Sequence, residues 1–206
     1  MSIMTLAECA AAEGRTDCPK CAPAGMHSCH CPAPDDVFDP KTITHKKGIG
    51  DVMSDAKGSG ARFNGGKPDL SLIPLTMLAA FYSDPEAGEL RPEAKALECL
   101  GVYQQTHDTQ WLWLALQALG DGWAECARVF DYGKRKYAAW NWAKGMPWSV
   151  PLACAARHLV KMLGGEVDDD ESNQPHRGHV FCNVVMLLQY SKTYREGNDL
   201  PRAGLL

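Results

Sequence analysis

Five carboxylates crowd into six residues at Glu166-Val167-Asp168-Asp169-Asp170-Glu171. Such density is repulsive unless solvent or a cation offsets it. Just downstream, His176, His179 and Asn183 fall at i, i+3 and i+7, which puts them on one face of a helix. Apolar residues cover most of the remainder of that helix, so two imidazoles and an amide near its start become buried polar groups in need of partners. The nearest partners are the loop carboxylates, or a metal ion that both share. Mg2+ and Mn2+ take carboxylate oxygen, and Mn2+ also accepts imidazole. The pattern therefore points to a divalent site with Glu166, Asp169, Glu171, His176 and His179 as ligands. Glu166, Asp169, Glu171 and His179 are the catalytic candidates. The competing reading is a solvated acidic loop followed by core histidines bonded to backbone. An EF-hand is excluded, because counting from Asp168 the sixth position is Asn173 and the twelfth holds no Glu.

A second cluster lies just upstream. Arg128, Lys134, Arg135, Lys136 and Lys144 surround Tyr137, Trp140, Trp142 and Trp148. Cations beside flat aromatic faces suit a ligand with phosphates and a ring, the phosphates on the cations and the ring stacked on an aromatic. Core tryptophans with solvated lysines are the alternative. Ala61-Arg62-Phe63-Asn64-Gly65-Gly66-Lys67-Pro68 has the outline of a P-loop, but Ala61 stands where the first Gly belongs and Pro68 where Ser or Thr would bind magnesium. What remains is either a glycine-rich turn presenting Arg62 and Lys67 to a phosphate or a structural turn. Nearer the start, Cys18-x2-Cys21 and Cys29-x-Cys31 offer four thiolates for tetrahedral zinc. A reduced, irregular tail accounts for them equally well.

The elements that must position these groups read as helices. Leu70–Ala80 forms a short helix after the Pro68 turn. Residues 83–92 form a loop, and Pro92–Gln105 a helix with Pro in its first turn. Asp108 caps a helix that ends at Gly120, and Gly122–Tyr132 is another, with Gly133 as its left-handed cap. Residues 134–149 form a loop with short helical turns. Val150–Leu163, stopped by Gly164-Gly165, carries the apolar stripe Leu152, Ala155, Ala156, Leu159, Met162, Leu163 with His158 and Arg157 beside it. His176–Tyr190, or slightly beyond, follows. No period-two pattern demands a sheet, so the fold class is all-α: a helical bundle over residues 61–206, with a Cys-, Pro- and Gly-rich irregular appendage at 1–60 joined through Lys57-Gly58-Ser59-Gly60.

A formal net charge of -4 gives no long-range pull toward nucleic acid. No apolar run is long enough to span a bilayer, and the first residues lack the basic front of a signal peptide. With no secretion signal, the nine cysteines read as reduced or metal-bound. The expectation is a cytoplasmic protein.

Segment 62–190 resembles a phage family, the N-terminal domain of dATP/dGTP diphosphohydrolases. The resemblance rests on Gly66-Lys67-Pro68 with Leu70-Ser71-Leu72-Ile73-Pro74; Val129-Phe130-Asp131-Tyr132-Gly133 with Lys136-Tyr137; Asn141-Trp142 with Lys144-Gly145; Arg157-His158-Leu159; Gly165-Glu166 with Asp169 and Glu171; and His176, His179 and Asn183. Residues 83–122 look like a helical insertion. The resemblance implies a MazG-like all-α pyrophosphohydrolase that uses Mg2+ or Mn2+ to cleave purine deoxynucleoside triphosphates to monophosphate and pyrophosphate, assembled as a homo-oligomer. It implies Arg62, Lys67, Lys136, Tyr137, Asn141, Trp142, Lys144, Arg157, His158 and Asn183 as substrate-binding residues. MazG-type enzymes carry their carboxylates on two helices, whereas here they sit in the connecting loop. That difference motivates a second hypothesis, a non-catalytic nucleotide-binding or regulatory module. The Cys-rich segment motivates a third, an interaction protein acting on a host factor.

Overall fold

The computed structural model describes residues 48–83 and 90–206, and the cysteines proposed for zinc lie outside them. The described residues form six α-helices: α1 (Leu75–Phe81), α2 (Pro92–Thr106), α3 (Gln110–Ala118), α4 (Trp123–Lys136), α5 (Ser149–Leu163) and α6 (His176–Thr193). Short 3-10 turns occur at Leu70–Leu72, Asn141–Lys144 and Arg195–Gly197. Among the described residues there is no strand longer than an isolated bridge, as expected for an all-α bundle.

The helix ends follow local chemistry. Pro92 opens α2, and His107 closes it in the left-handed region (φ 59°) with its N–H on the Tyr103 carbonyl. Asp108 accepts from the Gln110 N–H at the start of α3 (2.9 Å), and Gly120 follows α3 at φ 73°. Two boundaries differ from expectation. The stretch 70–80 is not one helix: it breaks at Pro74, because the ring disfavours helical backbone at Ile73, which is extended (ψ 140°). Gly133 does not cap α4, which runs on to Lys136 with three basic residues in its last turn, where the helix dipole favours cations.

Helices α5 and α6 form the central hairpin. The buried stripe of α5 (Leu152, Ala155, Ala156, Leu159, Leu163) meets Val180, Val184 and Leu187 of α6 in one core. Helix α4 lies across the start of α6, where Gly178 permits the approach: a Cβ there would sit 2.8 Å from that of Glu125. Arg177 reinforces this contact with two hydrogen bonds to the Glu125 carboxylate. Helix α2 joins α1, α3 and α5.

Residues 48–74 form a strap over the bundle. Ile49 and Arg62 exchange both backbone bonds, and the Gly58 and Gly60 N–H groups donate to the Lys144 and Gly145 carbonyls. The strap's far end is secured by Gln104 of α2, which is completely buried. Its amide donates to the Ser71 (2.8 Å) and Ile73 (3.1 Å) carbonyls and accepts from the Leu75 N–H (3.0 Å), the first amide of α1. Gln104→Leu keeps the bulk and strands three backbone groups, so it is expected to destabilise the protein by about 2–4 kcal/mol in urea unfolding. A change below about 0.5 kcal/mol would show that water replaces the amide.

Candidate functional site

The short connection from α5 to α6 is a folded structure. An antiparallel bridge pairs Asp168 with Pro175, Asp169 N–H donates to the Gln174 carbonyl and His176 N–H to the Val167 carbonyl. Three of the five carboxylates are thereby dealt to different partners. Glu166 bonds Lys161 (2.7 Å), which holds it below the usual carboxylate range. Asp169 turns inward and accepts from the Ser172 N–H (3.1 Å) and hydroxyl (2.9 Å). Burial would raise its pKa, but the Ser172 donors and the two nearby imidazoles lower it. Glu171 turns toward α4 and accepts from Lys136, Lys67 and Tyr132.

Three histidines meet behind this loop. His158 of α5 and His176 of α6 face each other through their Nδ1 atoms at 2.8 Å, and His158 stacks on His179 with ring centroids 4.4 Å apart. All three are buried. Burial, opposed by Asp169, pushes His158 down to about 3 and His179 down to about 4. Both imidazoles are therefore neutral at physiological pH, the form that ligates metals. The Ser172 hydroxyl lies 2.9 Å from Asp169 and 2.7 Å from His179 Nε2. Its single proton goes to the carboxylate, so His179 donates from Nε2. His176 Nε2 is buried without a hydrogen-bond partner, and the Glu166 carboxylate stands 3.6 Å from it. His158, Asp169 and His176 each bring one ligand atom, all within 4.8 Å of one another. This donor set fits a divalent ion. Glu171 lies instead with the cations, while His158, expected on the substrate side, joins the ligand cluster. Its signal was its place beside the α5 stripe, level with the first turn of the next helix.

The cluster opens onto a cavity of about 710 Å³. Its walls include Arg62, Lys67, Lys136, Tyr137, Trp142, His158, Asp169, Glu171 and His179. Arg62 is the deepest cation. It keeps partial exposure onto the cavity, and among the described residues its guanidinium has no carboxylate partner, only Cys154 Sγ (2.8 Å) and Met186 Sδ (3.6 Å). Burial raises a thiol, yet the Arg62 and Arg157 charges bring Cys154 below its ordinary value. At the opposite wall, Trp142 packs between Phe130 and Trp140 at centroid distances of 5.1 and 6.0 Å, and Trp140 stays 73 % exposed. Tyr137 lies against Phe63 (5.2 Å) and accepts from its N–H.

Other expected binding residues are engaged elsewhere. Asn141 clamps both backbone groups of Ala61 (3.1 and 2.9 Å), and Lys144 holds the Val52 and Ser54 carbonyls. Arg157 donates to the Pro68 carbonyl (2.7 Å), with its other terminal nitrogen buried and unpaired. Asn183 donates to the His179 carbonyl (2.7 Å), leaving its buried oxygen unpaired. These four fix the strap and α6, and Asn141 also lines the cavity.

Among the described residues no helix is long and apolar enough to cross a membrane. No curated protein and no solved structure matches the chain. Residues 104–200, which run from the end of α2 past α6 and include the acidic loop and the histidine cluster, match the family described as dATP/dGTP diphosphohydrolase, N-terminal. Through this segment, a little under half of its length, the chain is similar to that family.

Proposed function

We propose that the protein hydrolyses purine deoxynucleoside triphosphates to the monophosphate and pyrophosphate with the help of a divalent ion. The observation that carries this reading is a half-buried guanidinium that faces the cavity without a carboxylate partner, beside a His/His/Asp cluster. A cation partly withdrawn from water calls for an anion, and phosphate supplies one.

His158, Asp169 and His176 would hold the ion, and two imidazoles with one carboxylate favour Mn2+ over Mg2+. When bound, such an ion polarises a phosphoryl oxygen and lowers the pKa of a bound water. The remaining work belongs to the chain. Arg62, Lys67 and Lys136 bind the phosphates. Asp169, oriented by Ser172, keeps its charge at the cluster, and His179 is held in one tautomer by the same hydroxyl. Trp140 and Trp142 offer a face to the purine. In the reaction water adds at the α-phosphorus, the bond to the bridging oxygen breaks, and pyrophosphate leaves.

The test is a product assay on the full chain with each dNTP and NTP in turn, with Mn2+ or Mg2+ and an EDTA control, read by anion-exchange chromatography. Monophosphate and pyrophosphate from dGTP or dATP, abolished by EDTA, is the expected result. Saturable binding without product would move the protein to a nucleotide-binding module. Neither binding nor product would overturn the reading.

A further inference from the structure

Glu171 has partners unlike those of its neighbours in the acidic loop. Its carboxylate receives the Lys67 ammonium (3.2 Å), the Lys136 ammonium and the Tyr132 hydroxyl (3.4 Å). Lys67 comes from the strap, and Lys136 and Tyr132 from the last turns of α4. All four residues line the cavity.

One donor, Lys136, is better fixed than the acceptor. Lys136 sits among the rings of Phe63, Tyr132 and Tyr137 at 5.6–5.8 Å, an aromatic surround that holds a cation in place. Its side chain is 19 % exposed, whereas that of Glu171 is 46 % exposed on a loop. The charges are also unbalanced. Two ammonium groups and a phenol converge on one carboxylate, which has a single negative charge and two oxygens. A phosphate group, with up to two negative charges and three terminal oxygens, satisfies the same donors more fully.

We propose that Lys67, Lys136 and Tyr132 form a phosphate subsite, and that Glu171 occupies it until a polyphosphate displaces it. The subsite takes the end of a polyphosphate chain; naming a nucleotide as the source rests on the reading above. Displacement frees Glu171 and loosens the exposed side of the loop, whose inner side stays fixed by Asp169 and Ser172. Ligands lacking a multiply charged phosphate cannot compete with Glu171, so the residue acts as a charge threshold for entry.

Inorganic tripolyphosphate is the probe, titrated calorimetrically into the full chain in EDTA at low salt, so that neither base nor metal contributes. Glu171→Gln is expected to bind it about tenfold more tightly than the parent. Adding Lys136→Met to Glu171→Gln should abolish the gain. Circular dichroism verifies the fold of each variant, and Glu171→Ser repeats the comparison if Glu171→Gln folds poorly. Equal or weaker binding by the Glu171 variants, or no binding by any protein, overturns the proposal. Lack of nucleotide turnover by the parent would count against the hydrolase reading and leave this comparison standing.

Discussion

Asp169→Asn is expected to reduce turnover of dGTP or dATP by about a hundred- to a thousandfold, equivalent to roughly 3–4 kcal/mol of lost transition-state stabilisation. The substitution is conservative in shape. The side-chain amide it introduces retains an oxygen for the Ser172 N–H and hydroxyl, which in the parent donate at 3.1 and 2.9 Å, so the loop should stay folded. What disappears is the one negative charge in a cluster whose other two ligands are imidazoles. Without it the site has little means to offset a divalent cation. The variant should accordingly lose Mn2+ binding, read by electron paramagnetic resonance of the free ion, while keeping the far-ultraviolet spectrum of a helical bundle. Parental turnover together with parental Mn2+ affinity would remove Asp169 from the site.

The second large effect is expected at Arg62, where activity and stability should move in opposite directions. Its guanidinium is half-buried at the cavity wall and meets two sulfur atoms instead of a carboxylate. Such a charge costs folding free energy that weak acceptors do not offset. Arg62→Met should therefore raise stability by about 1–2 kcal/mol while weakening nucleotide binding tenfold or more. Opposed changes of this kind mark a group retained for function. A destabilised variant with unaltered affinity would make Arg62 a structural residue and deprive the cavity of its deepest anion receptor.

Much of the architecture is legible in the residue pattern, because the signals are local. The α5 stripe, the proline at the start of α2 and the glycine after α3 each act within a few residues. Gly133 misleads for a physical reason: no atom outside its own helix lies within 4 Å of where a Cβ would be, so nothing there requires a left-handed residue and α4 continues. The site is legible in part. Residue types point to the acidic loop and the helix after it, and periodicity puts His176 and His179 on a buried face. Pairing across elements is beyond that reach. Nothing local indicates that Glu171 turns to α4 while Asp169 turns to the histidines, since adjacent carboxylates differ only in the partners that tertiary packing brings. Asn141, through the family resemblance, and Lys144, through its charge beside aromatic residues, are expected to bind ligand, yet their partners are backbone atoms of a strap far away in the chain.

That strap bears on how such a protein can change over time. The segment shared with the family begins at Gln104, the residue that fastens the strap's far end, while Arg62 and Lys67 reach the cavity from outside the shared segment. The two parts therefore divide the labour: the matched segment furnishes most of the walls and the histidine cluster, and the strap furnishes two of the positive charges. A change of charge on the strap would thus alter which anion is admitted while leaving the histidine cluster in place, since none of that cluster's members lies on the strap.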